Sequence, residues 1–140
     1  MSSTAALCNS FKTELLAMTP HTAADVYKIA LYTDAASTLS KATTAYTATG
    51  EITGTGYTAG GMNLAGFSVT LDTDTAILDW TTDPVWAASS ITADTALIYN
   101  SSRTNKAVAV VKFTSATSTA AAFTVALPAA TAAAGLVRVA

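Results

Sequence analysis

The segment DVYKIALYT at residues 25–33 decides the fold class, because its large side chains alternate along one run. Tyr27, Ile29 and Leu31 fall on one side of an extended chain, and the residues between them fall on the other. A period of two, with aromatic and β-branched residues, indicates a strand with one face in a core. As a helix, the same segment would lack the apolar stripe that a surface helix needs. We therefore predict that it is the first long strand of an all-β domain.

Later segments show the same alternation or a short, largely apolar or small-residue run, and turn residues separate them. The predicted strands after the first one cover residues 45–52, 67–71, 76–80, 91–99, 107–113, 123–127 and 136–139. About eight strands, with turn signals about every 8 to 12 residues, are typical of a β-sandwich or a jelly roll. A chain of 140 residues is long enough for one core and too short for two. We therefore predict a single domain over residues 1–140, an antiparallel β-sandwich or jelly-roll-like fold.

One short helix is expected within the N-terminal segment, residues 1–20. Asn9 and Ser10 are residue types that favour helix N-caps, and Phe11, Leu15 and Met18 then recur at helical spacing. The proline that follows restricts the backbone before it and ends the pattern. We therefore predict a helix from Ser10 to Met18, with the three apolar residues on one face.

The composition favours a protein that works within an assembly. Charged residues make up 11% of the chain and hydrophobic residues 51%, so much of the surface must be Thr, Ser and Ala. Interface cores are poor in charge, and a surface of this kind can pack closely against other subunits. The alternative is a monomer that is soluble through its hydroxyl groups.

Charge and hydropathy disfavour two classes of partner. The net charge is −2, and the seven Lys and Arg residues are spread singly, without the basic stripe that nucleic-acid binding requires. No apolar run reaches the roughly 18 residues that a membrane-spanning helix needs. The first residues also lack the pattern of a secretory signal peptide. We therefore expect no nucleic-acid partner and no membrane association.

Residues that could carry chemistry are few. His21 is the single histidine and Cys8 the single cysteine, so neither a multi-histidine metal site nor a histidine-dependent triad can be assembled. Beside Pro20, His21 is expected to be a solvated turn residue, and Cys8 a small buried hydrophobe. We predict no catalytic residue, no cofactor and no metal, and we do not expect an enzyme.

Two further patterns have structural explanations. Four aspartates between residues 72 and 83 lack the frame of a calcium loop, and Asp side chains commonly cap the turns between strands. The segment GTGYTAGG at residues 54–61 lacks the GKS or GKT end of a phosphate-binding loop. Its glycines indicate positive φ or close backbone approach, as in a long hairpin tip or a pair of bulges.

Five blocks of the sequence resemble a family of small virion proteins of tailed bacteriophages. The blocks are FKTELL (residues 11–16), VYKIALYT (26–33), TTAYTATGEITGTGYTAGG (43–61), SSITADTALIYN (89–100) and KAVAVVKF (106–113). Their order and spacing match over nearly the whole chain. Members of this family resemble head decoration or cementing proteins.

The resemblance implies a structural protein of the capsid exterior. By this likeness the chain is made in the bacterial host cytoplasm, binds the outside of the phage head and staples neighbouring subunits of the major capsid protein. It is also expected to associate with itself as a homodimer or homotrimer. The alternatives are a tail- or fibre-associated virion protein and a glycan-binding β-sandwich module.

Loop tips and chain termini can adapt to a partner, and this gives candidate contact residues. They are Phe11, Leu15, Gly54, Gly56, Tyr57, Gly60, Gly61 and Met62. The alternative for each is an ordinary loop, or a helix that packs on the core.

Overall fold

The computed structural model describes residues 2–140 and consists mainly of antiparallel strands with one short helix. Strands make up 45% of the chain and helix 6%, which confirms the predicted all-β, sandwich-like class. The elements in chain order are β1 (Ala6–Leu7), α1 (Asn9–Leu16), β2 (Tyr27–Tyr32), β3 (Met62–Asn63), β4 (Ala65–Asp72), β5 (Thr75–Thr82), β6 (Val85–Ser89), β7 (Thr92–Asn100), β8 (Lys106–Thr117), β9 (Ala121–Thr124) and β10 (Val137–Val139).

The main sheet has five strands in the order β1-β8-β7-β2-β3. Strand β2, the segment from which the fold class was predicted, pairs with β7 from Tyr27 opposite Asn100 to Tyr32 opposite Thr95. The prediction that only one face of β2 is buried is wrong, since Ala30 and Tyr32 are fully buried as well. The second face is covered by the loop of residues 43–61, which we call the covering loop.

The covering loop contains the one predicted strand that is absent. Residues 45–52 make isolated bridges at Ala45 and Glu51 but form no regular strand. Gly50 turns the chain with a φ of +78°, and a Cβ there would lie 2.3 Å from the carbonyl oxygen of Ala36. Small residues flanked by Tyr46 and Ile52 resemble a strand in sequence, but this turn prevents a continuous ladder.

Two smaller sheets complete the fold. The order β10-β5-β4 forms a three-stranded sheet, in which a two-residue turn with Thr73 at φ 56° joins β4 to β5. Strands β6 and β9 pair with each other, and Trp86 of β6 packs edge-on against Phe123 of β9. Strand β6 was not predicted, since no strand was expected between residues 80 and 91.

Helix α1 is shorter than predicted and is capped differently. It covers Asn9–Leu16, its N-cap is Cys8, and no side chain caps its first turn. Phe11 is fully buried, as the apolar stripe predicts. Met18 lies beyond the helix with a φ of 56° and is 87% exposed, so its predicted inward position is wrong. The chain leaves the helix two residues earlier than the spacing indicated and turns Met18 away from the core.

Candidate interaction surface

The glycines of the covering loop lie against strand backbone. A Cβ on Gly61 would lie 1.8 Å from the carbonyl oxygen of Ile29, and one on Gly56 would lie 2.4 Å from that of Ala88. Gly54 is packed in the same way, 2.5 Å from the carbonyl oxygen of Ser90. The predicted close backbone approach is therefore present, and these glycines serve the packing of the loop.

Glu51 ties the covering loop to the main sheet. Its carboxylate accepts hydrogen bonds from the hydroxyls of Tyr46 and Tyr57 at 2.6 Å each and from the N–H of Gly60 at 2.7 Å. The Tyr57 hydroxyl in turn accepts the N–H of Leu31 at 2.9 Å. Burial, followed by the bond to Glu51, raises the pKa of Tyr46 to about 12 and also raises the pKa of Tyr57. Both hydroxyls therefore remain protonated donors at neutral pH.

The remaining candidate contact residues divide between core and surface. Phe11 is fully buried and packs edge-on against His21 with ring centroids 4.9 Å apart, so its side chain belongs to the core. Met62 is half-buried in β3, opposite Ile29 of β2. Leu15 is half-buried too, and among the eight candidate contact residues it is the one that lines an open groove. Of the two helix residues predicted to contact a partner, only Leu15 is therefore accessible at the surface.

An apolar groove of about 320 Å³ lies between the three-stranded sheet and the end of α1 together with the residues that follow it. Leu15 and His21 line its N-terminal side, and Phe67, Val69 and Val139 line its sheet side. Its walls are almost wholly hydrocarbon, so the groove offers van der Waals contact to a partner and very few hydrogen-bonding groups.

Large apolar side chains lie exposed around this groove. Val69 is 62% exposed, Leu71 71% and Val139 58%, and we call these three residues the apolar strip. Leu16 and Met18, which follow Leu15 in the chain, are also almost fully exposed. Contiguous apolar surface of this kind marks an interaction site in soluble proteins. Sequence analysis placed Val69 and Leu71 in a strand but missed their exposure, which depends on β4 having a free side.

A larger and more open depression lies next to Thr33, the residue that follows β2. Its volume is about 480 Å³, and hydroxyl groups of Thr33, Ser90, Thr92 and Thr117 contribute to its lining. Aromatic side chains, which stack on sugar rings in glycan-binding sites, are missing from its lining.

His21 was predicted to be solvated, and that prediction is wrong. Its side chain is 1% exposed, and Nε2 lies 2.6 Å from a carboxylate oxygen of Glu14. Its Nδ1 lies 3.1 Å from the side-chain amide nitrogen of Asn100, so the amide donates to Nδ1 and Nε2–H donates to Glu14. Lys106 also donates to Glu14 at 2.7 Å. The imidazole has both nitrogens in use and joins α1 to β7.

Asp25 extends this cluster to the turn after β7. Arg103 donates two hydrogen bonds of 2.9 Å to its carboxylate, and Asn100 and the N–H of Thr22 donate one each. The Arg103 hydrogen bond is the main cause that holds the pKa of Asp25 far below its usual range. Burial raises the pKa of Glu14, but the hydrogen bonds from Lys106 and His21 outweigh it and leave that pKa lowered. Both carboxylates are charged and fully paired, so they hold the fold together.

Three of the four aspartates between residues 72 and 83 accept backbone N–H groups, but most of these donors are distant in the chain, so the predicted capping of local turns is wrong for them. Asp72 accepts the N–H of Ala132 at 2.7 Å, and Asp83 accepts that of Leu127 at 2.8 Å. Asp79 is fully buried within β5 and accepts N–H groups from Trp80 and from Leu136. These contacts fix the connection before β10 onto the three-stranded sheet.

Within residues 2–140, no group of three or more His, Cys, Asp or Glu side chains is arranged to hold a metal ion. None of the helices described is long and apolar enough to cross a membrane. Burial raises the pKa of the Cys8 thiol to about 11, so it is protonated at neutral pH. Comparisons with protein-family models, curated proteins and solved structures found no match to the chain.

Proposed function

We propose that this chain is a virion structural protein that binds the outside of a phage head and staples neighbouring subunits of the major capsid protein. The observation that carries the proposal is the apolar strip beside an apolar groove, on a surface that has few charges. The resemblance of five sequence blocks to small tailed-phage virion proteins is the reason for proposing a phage head as the assembly that the chain binds. The chemistry of the groove suits a protein partner, because it offers hydrocarbon surface and no cluster of charges.

The physical action follows from binding to the assembled shell. A surface of apolar and hydroxyl side chains loses little hydration free energy when another subunit covers it. A protein that binds assembled capsid subunits, and not separated ones, stabilises the assembly by mass action in proportion to its occupancy. Many weakly bound copies at the seams between subunits thereby oppose the pressure of packaged DNA.

The proposal is tested on particles. Heads of a phage that lacks the gene should release DNA at a lower temperature than parental heads. Adding the purified protein to these heads should restore the parental release temperature. Equal release temperatures, or immunogold label found on tails alone, would contradict head stapling. Label on tails would favour the tail- or fibre-associated alternative.

A variant pair tests whether the groove makes the contact. Val139→Asp places a carboxylate in the groove, whereas Ala140→Asp places the same charge on the next, exposed residue. We expect Val139→Asp to lower occupancy on heads about tenfold and Ala140→Asp less than about twofold, because only the former buries a charge. Equal occupancy of the two variants would remove the groove from the proposal.

A further inference from the structure

Strand β4 is a long and unprotected edge. In the order β10-β5-β4, its only hydrogen-bonded neighbour among the described residues is β5. Its eight residues, AGFSVTLD, contain no Lys, Arg or Pro, the residue types that commonly keep a sheet edge from pairing. Strand β10, at the opposite edge, has three residues with an arginine in the middle. The edges β1 and β3 of the main sheet have two residues each.

The backbone of β4 presents free hydrogen-bonding groups at this edge. The two-residue turn makes Asp72 and Thr75 a hydrogen-bonded pair, and bonded and non-bonded pairs alternate along an antiparallel ladder. The N–H and C=O groups of Phe67, Val69 and Leu71 therefore point away from β5. Within residues 2–140 they make no other hydrogen bond. Their side chains share one face of the strand, where Phe67 and Val69 line the groove.

We infer that a second copy of this chain covers this edge, with the two β4 strands antiparallel about a two-fold axis at Val69. The sequence of β4 is self-complementary in that register. Val69 faces the partner's Val69, and Phe67 faces the partner's Leu71, so apolar side chains meet on the groove face. Asp72 faces the partner's Gly66, so no like charges are opposed. The three outward-pointing residues of each copy exchange about six backbone hydrogen bonds.

This register explains why a second copy suits the edge better than an unrelated strand. A two-fold interface requires one patch to complement itself, and β4 meets that condition in backbone, apolar contacts and charge at once. The result is a six-stranded antiparallel sheet with a continuous apolar face. Strand pairing alone covers less than the roughly 800 Å² per partner of a typical stable interface, so we expect a Kd on the order of 10 µM.

The dimer goes beyond head binding and is tested on the isolated full-length chain. If the chain did not dimerise, the stapling proposal would still stand, because that proposal is tested through Val139 on β10. Conversely, the Val139→Asp variant should still dimerise, since residue 139 is outside the paired edge. The two proposals can therefore fail separately.

Sedimentation velocity and site-directed disulfides provide the experiment. The chain should change from monomer to dimer as its concentration rises to about 300 µM. Val69→Cys should form a covalent dimer under mild oxidation, because residues opposed across the axis have Cα atoms about 5.5 Å apart. Leu71→Cys is the matched control, since it is similarly exposed on the same strand but lies about 14 Å from its copy in this register. The native Cys8 is fully buried and does not compete.

The expected result is cross-linking of Val69→Cys at least about tenfold faster than that of Leu71→Cys, given the distances at which disulfides form. A second variant pair needs no oxidation. Val69→Lys opposes two lysines across the axis and should weaken the dimer about tenfold, whereas Thr70→Lys faces the partner's Ser68 and should not. Equal cross-linking rates, or a monomer at all concentrations, would overturn the inference.

Discussion

Single side chains around Asp25 hold together parts of the chain that are distant in sequence. Asp25 precedes β2, whereas Asn100 and Arg103, which donate to it, lie at and after the end of β7. The Asp25 side chain is 7% exposed, so its charge depends on these donors in place of water. The cluster therefore supplies the hydrogen bonds that water would otherwise give to this carboxylate, which keeps it charged inside the fold.

The lowered pKa of Asp25 predicts how stability depends on pH. A carboxyl with a lower pKa in the folded state stabilises the fold above its unfolded pKa of about 4, and this stabilisation is lost as pH falls through the folded value. Asp25→Asn should lower the free energy of unfolding at pH 7 by about 2 kcal/mol, the scale of hydrogen bonds to a buried charge. Urea unfolding should show the difference between variant and parent shrinking below about pH 4.

Asp74→Asn provides the control for this measurement. Asp74 is exposed in the turn between β4 and β5 and makes no hydrogen bond to the described residues. Its substitution should change the urea midpoint little at any pH. If Asp25→Asn and Asp74→Asn had the same pH profile, the Arg103 pair would not contribute to the stability of the fold.

At the scale of elements, the covering loop depends on glycines for two different reasons. Gly60 and Gly61 both have positive φ, at +90° and +77°. A Cβ on Gly61 would lie 1.8 Å from main-chain oxygen of β2, whereas one on Gly60 would find only the Tyr99 hydroxyl at 3.4 Å. Backbone strain is thus common to both positions, and the steric clash is confined to Gly61.

Alanine substitution separates the two effects. Gly60→Ala should cost about 1 to 2 kcal/mol, the strain of a left-handed residue with a Cβ. Gly61→Ala should cost about 4 kcal/mol or more, because strand β2 cannot move away without breaking its pairing with β7. Urea unfolding measures both values, and limited proteolysis should show cleavage of the covering loop in Gly61→Ala first. Equal costs would mean that the loop does not pack on β2 as closely as described.

Side-chain alternation predicted strands β4, β5 and β7, and a nearly continuous apolar run predicted β8. The close approach of glycine backbone was predicted as well. Residues 45–52 were predicted wrongly, because small residues flanked by Tyr46 and Ile52 resemble a strand there without forming a ladder. The burial of both faces of β2 could not be predicted, since it depends on where the covering loop folds.

The candidate surface was less predictable than the fold. His21 is buried by Glu14 and Asn100, which lie 7 and 79 residues away, and no local pattern reports such partners. The exposure of Val69 and Leu71 follows from the position of β4 in its sheet, which depends on strand order. Strand order is set by long-range pairing, so a single sequence reveals apolar residues without revealing which of them face solvent.

At the scale of the whole molecule, the small number of charges and the open edge of β4 both favour association with another subunit. The chain carries nine acidic and seven basic residues, and three acidic side chains form ion pairs with Arg103, Lys106 and Lys112. Charged residues are sparse in the chain as a whole, and the outer edge of β4 has no strand partner among the described residues. These two properties favour association through backbone and apolar contacts, in contrast to association steered by opposite charges.

This mode of association predicts a dimer that responds weakly to salt. Screening weakens contacts between exposed charges, but the register at β4 opposes apolar residues with apolar residues and Asp72 with glycine. Between about 50 and 500 mM NaCl, the Kd from sedimentation should therefore change less than about threefold. Val69→Lys is the positive control, because salt should screen its two opposed lysines and strengthen its dimer. A parental dimer that dissociates about tenfold more readily at high salt would show that ion pairs hold the two copies together, and the β4 register would then be wrong.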